Sequence, residues 1–142
     1  MNIVPASQNG FTAAIRLLEK SGLPTSDIDP GKQLFVMEDG DNVIATVAAE
    51  YDYNDALLRS LSVDEEYRNK GVGEQLVSFI ENYVQQQGVE RVFILTTTAA
   101  KFFSKRGYIP VERSDVPEFI KNTSEFGSIC PSSAVVMKKS LA

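Results

Sequence analysis

The chain has 142 residues, which is enough for one domain with a hydrophobic core and too few for two. Its 43% hydrophobic and 23% charged residues are typical of soluble globular proteins, and its net charge of −5 argues against broad nucleic-acid binding, which needs a basic surface. Histidine is absent and Cys130 is the single cysteine, so histidine catalysis and an intrachain disulfide are excluded and no metal site is expected.

The N-terminal half is predicted to form one helix and a meander of strands. A short strand is expected near residues 3–6, and a helix from about residue 7 to residue 20. Three strands follow, and the short polar turns between them favour antiparallel hairpins. These strands are predicted over residues 34–37, 43–51 and 56–63.

The C-terminal half begins with a long helix, in which apolar residues recur at helical spacing until Gly88. Residues 92–95 (VFIL) form an apolar run typical of a strand covered on both faces. Since a helix joins this strand to the previous one, the two are predicted to be parallel. Shorter elements complete the prediction: a helix over residues 99–106, a strand over 108–111, a helical segment after Asp115, and a last strand over 133–138.

The expected fold class is therefore α+β, with a mixed sheet of about six to seven strands. An antiparallel N-terminal meander is followed by a central βαβ crossover, and helices cover both faces. We find no linker or internal repeat, so residues 1–142 are predicted to form a single domain.

The glycine-containing segment RNKGVG, residues 68–73, joins a predicted strand to the long helix. A helix N-terminus carries unpaired N–H groups and a partial positive charge, so it attracts anions. Gly71 and Gly73 lack the Cβ atoms that would keep a phosphate away from the backbone, and Arg68 and Lys70 add positive charge. The segment is predicted to bind a pyrophosphate; the alternative is a turn that merely begins a helix. A P-loop is excluded because no Lys-Ser/Thr follows the glycines.

The order of elements and the segment YRNKGVG resemble the GNAT acetyltransferases. The later segment FFSKRGY is similar to the second signature of that family. The segments LLRSLSV, ILTTTAAKFF and ICPSSAVVMKK look like the small GNAT proteins of arsenic-resistance operons, and more distantly like the acetyltransferase domain of N-acetylglutamate synthase. This resemblance implies a GNAT-like sheet, acetyl-CoA as co-substrate, and an amino-acid-like molecule whose amine is acetylated.

The resemblance also implies how the cofactor is bound. In the family, the motif opening the helix holds the pyrophosphate of coenzyme A, and the pantetheine arm pairs with the edge of the preceding strand. The cofactor-binding residues carried over are Leu61, Ser62, Val63, Arg68, Asn69, Lys70, Gly71, Val72, Gly73 and Phe103. The backbone N–H of Leu61 is the candidate that polarises the thioester carbonyl.

Catalytic and acceptor-binding side chains are less well marked. Many relatives have a glutamate base at the position of Leu57 and a tyrosine acid near that of Phe103, and this chain has neither. Glu50 is the best remaining candidate for a base, with a surface glutamate as the alternative. Strand alternation places Leu57, Arg59, Leu61 and Val63 on one face, provided no bulge intervenes.

Arg59 is a candidate to bind an acceptor carboxylate, and the alternative is an arginine paired with a neighbouring acid on a solvated face. Thr97, after the apolar strand, and Ser133, near the last strand, are further acceptor-binding candidates.

Two functions of different class are consistent with these residues. The first is an acetyl-CoA-dependent N-acetyltransferase, in which the amine of a small acceptor attacks the thioester directly. The second is a non-catalytic acyl-CoA-binding or sensing module. A cytoplasmic location is expected from the lone cysteine and from the absence of a secretory pattern or a membrane span, and a homodimer is a possible assembly.

Overall fold

A computed structural model describes residues 2–6, 8–21, 33–121 and 134–141. Within these ranges the chain forms strands, helices and two one-turn 3₁₀ helices. The strands are β1 (Asn2–Pro5), β2 (Gln33–Asp39), β3 (Asn42–Tyr51), β4 (Asp55–Val63), β5 (Arg91–Thr96), β6 (Ile109–Pro110) and β7 (Val135–Ser140). The helices are α1 (Gln8–Lys20), α2 (Val72–Gln86), α3 (Ala100–Ser104) and α4 (Glu118–Lys121), and the 3₁₀ turns are Glu65–Tyr67 and Arg113–Asp115.

The seven strands of the described ranges form a mixed sheet in the order β1-β2-β3-β4-β5-β7-β6. The predicted α+β fold class is therefore confirmed, as are the N-terminal meander and the long helix between β4 and β5. Every predicted strand and helix has a counterpart within a few residues. None of the helices in the described ranges has both the length and the apolar character needed to cross a bilayer.

The chain contacts define two compact units, and the prediction of a single domain stays a prediction. The first unit comprises Met1–Glu50 and Leu58–Asn82. In it, β1 and β2 pair antiparallel from Asn2↔Glu38 to Pro5↔Phe35, and β2 pairs antiparallel with β3. Part of its core lies between α1 and these strands, because Ala14 packs with Leu34, Val36 and Ala48.

The second unit comprises Tyr51–Leu57 and Tyr83–Ala142. Strand β7 lies between β5 and β6 and is antiparallel to both. Its core joins strands to the short helix α4, and contains Leu57, Phe93, Val116, Ile120 and Val136. Asp55, at the start of β4, accepts a hydrogen bond of 2.8 Å from Nε of Arg91, which begins β5.

Two local differences from the predicted elements have clear causes. The acidic turn after β4 is a 3₁₀ turn, because the Oδ1 of Asp64 accepts the N–H of Glu66 and caps it. The strand predicted over residues 108–111 shortens to Ile109–Pro110, since the N–H of Tyr108 donates instead to the carbonyl of Phe103 in helix α3, over 3.1 Å.

Candidate functional site

The end of strand β4 is irregular at Ser60. Its φ of +58° lies in the left-handed region, which non-glycine residues seldom adopt within a strand. The hydrogen bonds to β3 also show one extra residue in β4. Asp52 donates its N–H to the carbonyl of Asp55, and Asp64 donates to that of Ile44, so β3 supplies seven residues (45–51) between these pairs and β4 supplies eight (56–63). One extra residue with a left-handed backbone is a β-bulge.

This bulge corrects the predicted arrangement of side chains. Leu57 and Arg59 precede it and remain on one face of the strand. A bulge shifts the alternation by one residue, so the assignment of Leu61 and Val63 to that same face is wrong. The hydroxyl of Ser62 lies 2.6 Å from the hydroxyl of Ser21, at the end of α1. The side chain of Ser62 is therefore directed towards α1.

A buried hydroxyl holds the bulge. The Oγ1 of Thr46, on β3, donates a hydrogen bond of 2.7 Å to the carbonyl of Ser60. Thr46 is fully buried, at 0% exposure. A side chain thus occupies a carbonyl that a regular ladder would pair with a backbone N–H. Since an unpaired buried carbonyl costs about 1–3 kcal/mol, this hydrogen bond matters to the local fold.

Glu50 and Arg59 form an ion pair next to the bulge. The distance from Nη1 of Arg59 to Oε2 of Glu50 is 2.9 Å, and the two side chains are 2% and 14% exposed, respectively. Nε of Arg59 also lies 3.4 Å from the hydroxyl of Ser60. The sequence predicted a role for each residue separately, and the structure brings them together. The ion pair agrees with the alternative prediction that Arg59 pairs with a neighbouring acid. The pair is largely buried, however, and does not lie on the solvated face of that alternative.

Arg68 links the loop after β4 to the strand itself. Its Nε donates to the carbonyl of Val63 over 3.0 Å, and its backbone N–H donates to Glu65 over a longer 3.4 Å. The side chain therefore closes the connection between the strand end and the predicted pyrophosphate segment. Its exposed guanidinium also keeps a positive charge at that place.

The backbone of the loop reverses direction at two left-handed residues, Asn69 (φ +63°) and Gly71 (φ +80°). Helix α2 then begins, since the N–H of Gln75 donates to the carbonyl of Gly71 over 3.1 Å. A Cβ atom added to Gly71 would meet nothing within 4 Å, so there is open space beside this backbone. A turn with left-handed residues before a helix N-terminus directs N–H groups towards a bound anion.

Tyr67 attaches the loop to strand β2. Its hydroxyl donates a hydrogen bond of 2.7 Å to Oδ2 of Asp39, and Nζ of Lys70 lies 5.7 Å from the centre of its ring. The hydrogen bond to Asp39 raises the pKa of Tyr67 above its ordinary value of 10.0, with smaller contributions from desolvation and from the Asp39 charge. Lys70 therefore makes a cation–π contact with a ring that is held in place by its hydrogen bond to Asp39.

Val72 and Gly73 lie in the first turn of α2, in the first unit. Three further predicted site residues, Thr97, Phe103 and Ser133, belong to the second unit or to residues that are not described. Thr97 is exposed directly after β5. Phe103, in α3, is 5% exposed, and its ring makes edge contacts with Phe102 at 5.0 Å and Tyr108 at 5.3 Å. Ser133 lies outside the described residues, as does Cys130. In the described ranges no three Cys, Asp or Glu side chains are grouped so as to hold a metal ion.

Sequence reasoning missed the contributions of Thr46 and Tyr67. Each acts through a contact with another element: Thr46 bonds to Ser60 of β4, and Tyr67 bonds to Asp39 of β2. One signal was present, because the polar residues of RSLS interrupt the apolar run of β4. A serine in that run does not by itself reveal a left-handed backbone.

Comparison with known proteins gives three consistent results. Residues 30–110 match the sequence family described as "Acetyltransferase (GNAT) domain". An amino-acid acetyltransferase of Edwardsiella ictaluri is 30% identical over 116 residues, which is 77% of this chain and 26% of that protein. An uncharacterised N-acetyltransferase of Chlorobaculum tepidum is 39% identical over 90 residues, covering 63% of this chain and 57% of that protein.

Among solved structures, N-acetylglutamate synthase of Neisseria gonorrhoeae, in complex with coenzyme A and N-acetyl-glutamate, superposes with a TM-score of 0.85. The sequence identity is 18%, and the match covers 99% of this chain and 35% of that one. This likeness concerns the fold. The chain spans about a quarter of the length of the curated amino-acid acetyltransferase that it matches, and just over half of the other relative.

Proposed function

Because this chain belongs to the GNAT acetyltransferase family, we propose that it transfers an acetyl group from acetyl-CoA to the amine of a small amino-acid-like acceptor. The observation that carries the proposal is the loop before α2. Its left-handed Asn69 and Gly71, and the open space at Gly71, suit a diphosphate held by backbone N–H groups.

The cofactor is proposed to lie along the first unit. Backbone N–H groups of residues 69–73 and the charge of Lys70 would bind the pyrophosphate, with Val72 and Gly73 in the first turn of α2. Arg68 anchors this loop to Val63 and adds its charge. The backbone of Leu61, Ser62 and Val63 would pair with the pantetheine arm, as the family resemblance implies. The gonococcal enzyme, which has the same fold, was solved in complex with coenzyme A, and this supports coenzyme A as the class of ligand.

The proposed chemistry is direct attack of a neutral amine on the thioester carbonyl. A C–N bond forms, the C–S bond breaks, and the electron pair leaves with the thiolate of coenzyme A. The proton that the acylated nitrogen loses goes to this thiolate, through water, and gives free coenzyme A. The N–H of Leu61 would stabilise the negative charge that develops on the carbonyl oxygen, and removing such a donor typically costs about 3 kcal/mol of barrier. A thiol with a pKa of about 8.5 leaves tolerably without a dedicated acid, so Phe103 in place of tyrosine is compatible with turnover.

Glu50 is proposed as the base that takes the proton of the ammonium group, directly or through a water molecule. Its carboxylate is oriented by Arg59 at 2.9 Å, and a fixed carboxylate close to the bulge suits this task. An acceptor carboxylate that binds to Arg59 would share the guanidinium with Glu50 or displace it. Acceptor recognition and base position would then be coupled through a single side chain.

Other parts of the proposal concern residues further along the chain. Thr97 and Ser133 are proposed to contact the acceptor, and Phe103 to line the cofactor site. Amino-acid-like acceptors are supported by the names of the relatives, "Amino-acid acetyltransferase" and "N-acetylglutamate synthase". The resemblance to arsenic-resistance GNAT proteins, the homodimer and the cytoplasmic location stay predictions.

The test is a thiol-release assay with acetyl-CoA and a panel of amino acids, with thermal unfolding measured in parallel. Turnover on at least one amine, together with stabilisation by acetyl-CoA, is the expected result. Stabilisation without turnover on any amine would instead support the acyl-CoA sensor. If the chain shows no turnover and acetyl-CoA does not stabilise it, both functions are refuted.

A further inference from the structure

The bulge in β4 contains one peptide group whose orientation is set by a side chain. The carbonyl of Ser60 and the N–H of Leu61 belong to the same peptide, and the described part of the chain contains no cis peptide bond. In a trans peptide the C=O and N–H bonds point in opposite directions. Whatever holds the Ser60 carbonyl therefore also directs the Leu61 N–H.

Thr46 holds that carbonyl. Its hydroxyl is 2.7 Å from the Ser60 oxygen and it has no solvent exposure, so water does not compete for this hydrogen bond. Since the carbonyl points to Thr46 on β3, the N–H of Leu61 points away from β3. The left-handed φ of Ser60 is a strained conformation, which persists only where its surroundings keep it.

We propose that Thr46 is a positioning residue for the acetyl-transfer step, and that its hydroxyl aims the Leu61 N–H at the thioester carbonyl. This inference rests on the proposed function, in which that N–H stabilises the developing oxyanion. Thr46 itself would touch neither substrate. Preorganised donors are effective because they need no reorientation during the reaction, so a donor that can swing away loses most of its value.

The test compares Thr46→Val with Thr46→Ser. Valine keeps the shape of threonine and removes the hydroxyl, whereas serine keeps the hydroxyl and removes the methyl group. We expect Thr46→Val to lower kcat by about 10- to 100-fold, part of the loss seen when an oxyanion donor is deleted. Thr46→Ser should restore most of kcat.

A binding measurement separates positioning from general damage. Acetyl-CoA has the thioester carbonyl and coenzyme A does not, so loss of the aimed N–H should reduce the preference for acetyl-CoA over coenzyme A in calorimetry. Merely structural damage would weaken both ligands alike. The matched control is Ser21→Ala, which removes a hydroxyl that lies 2.6 Å from the Ser62 hydroxyl of β4. This variant should leave kcat and the ligand preference unchanged.

Three results would overturn the inference: wild-type kcat in Thr46→Val, no rescue by Thr46→Ser, or an unchanged ligand preference. If Thr46→Val does not fold, Thr46→Ala against Thr46→Ser carries the same comparison. If the wild-type chain acetylates no amine, the proposed function fails, whereas the ratio of the two dissociation constants still decides the role of Thr46.

Discussion

Gly71 combines a left-handed backbone with open space beside it, in the loop that precedes α2. An alanine would be strained at its φ of +80° by about 1 kcal/mol, and its methyl group would project into the space proposed for the diphosphate. We expect Gly71→Ala to weaken acetyl-CoA binding measurably and Gly71→Glu to abolish it, as measured by calorimetry.

Gly40 offers a matched control for this substitution. It too is left-handed, with φ +63°, and an added Cβ atom meets nothing within 4 Å. Gly40→Ala should therefore lose a similar amount of stability and keep full affinity for acetyl-CoA. Equal loss of affinity in the two variants would contradict the assignment of the loop to the pyrophosphate.

Glu50 is the side chain on which the proposed proton transfer depends. Glu50→Gln keeps the shape and a hydrogen-bond acceptor for Arg59 but cannot take a proton at neutral pH. Because general bases contribute roughly 10²–10⁴-fold, we expect kcat to fall by at least about 100-fold, with acetyl-CoA affinity unchanged. Steady-state kinetics and calorimetry provide the two measurements.

The control is Asp55→Asn, which changes a carboxylate in the other arginine pair of β4, at 2.8 Å from Arg91. This variant should keep kcat. A Glu50→Gln enzyme with wild-type kcat would exclude Glu50 as the base and leave water or another group in that role.

At the scale of elements, the bulge in β4 inverts the usual preference of a strand for alanine over glycine. Glycine adopts a left-handed φ without strain, so Ser60→Gly should be more stable to denaturant than Ser60→Ala, by about 1 kcal/mol. Ser62 has a negative φ, and there the order should reverse, with alanine the more stable of the two. The same order at both positions would show that position 60 is not left-handed in solution.

The 3₁₀ turn over Glu65–Tyr67 contains a group that titrates with the fold. Since the Asp39 hydrogen bond raises the pKa of Tyr67, the neutral hydroxyl is favoured in the native state. Its stabilising contribution is complete below the ordinary pKa of 10.0 and is lost as the pH rises through the higher native value. Tyrosinate absorbance should be titrated in the wild type and in Tyr67→Phe. The tyrosine whose titration is lost in the variant should have a pKa above 10.0 in the wild type.

The matched variant for that titration is Asp39→Asn, which removes the carboxylate and keeps a hydrogen-bond acceptor. It should return the pKa of Tyr67 towards its ordinary value. An unchanged titration in Asp39→Asn would mean that another group raises the pKa.

The elements were predictable from sequence wherever one pattern persisted over a turn or more. Helix α2 has apolar residues at helical spacing and ends before Gly88, which has φ +98°. The run VFIL lies within β5, whose residues 92–94 are buried. The bulge was not predictable, because it depends on the bond from Thr46 to a carbonyl 14 residues away along the chain.

At the scale of the whole molecule, ligand binding and stability are linked. A ligand present at 100 times its dissociation constant adds about 2.7 kcal/mol to the free energy of unfolding. For a chain of this length that corresponds to a rise in Tm of about 5–10 °C. We expect this rise with acetyl-CoA, and no rise with Gly71→Glu; a rise in that variant would place the cofactor elsewhere.

The sequence predicted the parts of the candidate site that depend on local backbone better than the parts that depend on contacts between strands. The pyrophosphate loop follows from two glycines before a helix and from a family resemblance, both of which are local. Glu50 and Arg59 were each singled out, but their pairing needed the hairpin register. The face shared by Leu57 and Arg59 ends at the bulge, so alternation alone misplaced Leu61 and Val63.

The extra residue in β4 has a consequence for protein engineering. A redesign guided by strand propensity would replace Ser60 with valine or isoleucine, which resist a positive φ. The strand would then relieve the strain by shifting its register by one residue and becoming regular. Every side chain after that point would move to the opposite face of the sheet. A single substitution intended to stabilise the strand would thereby exchange the two faces of the part of β4 that leads into the loop.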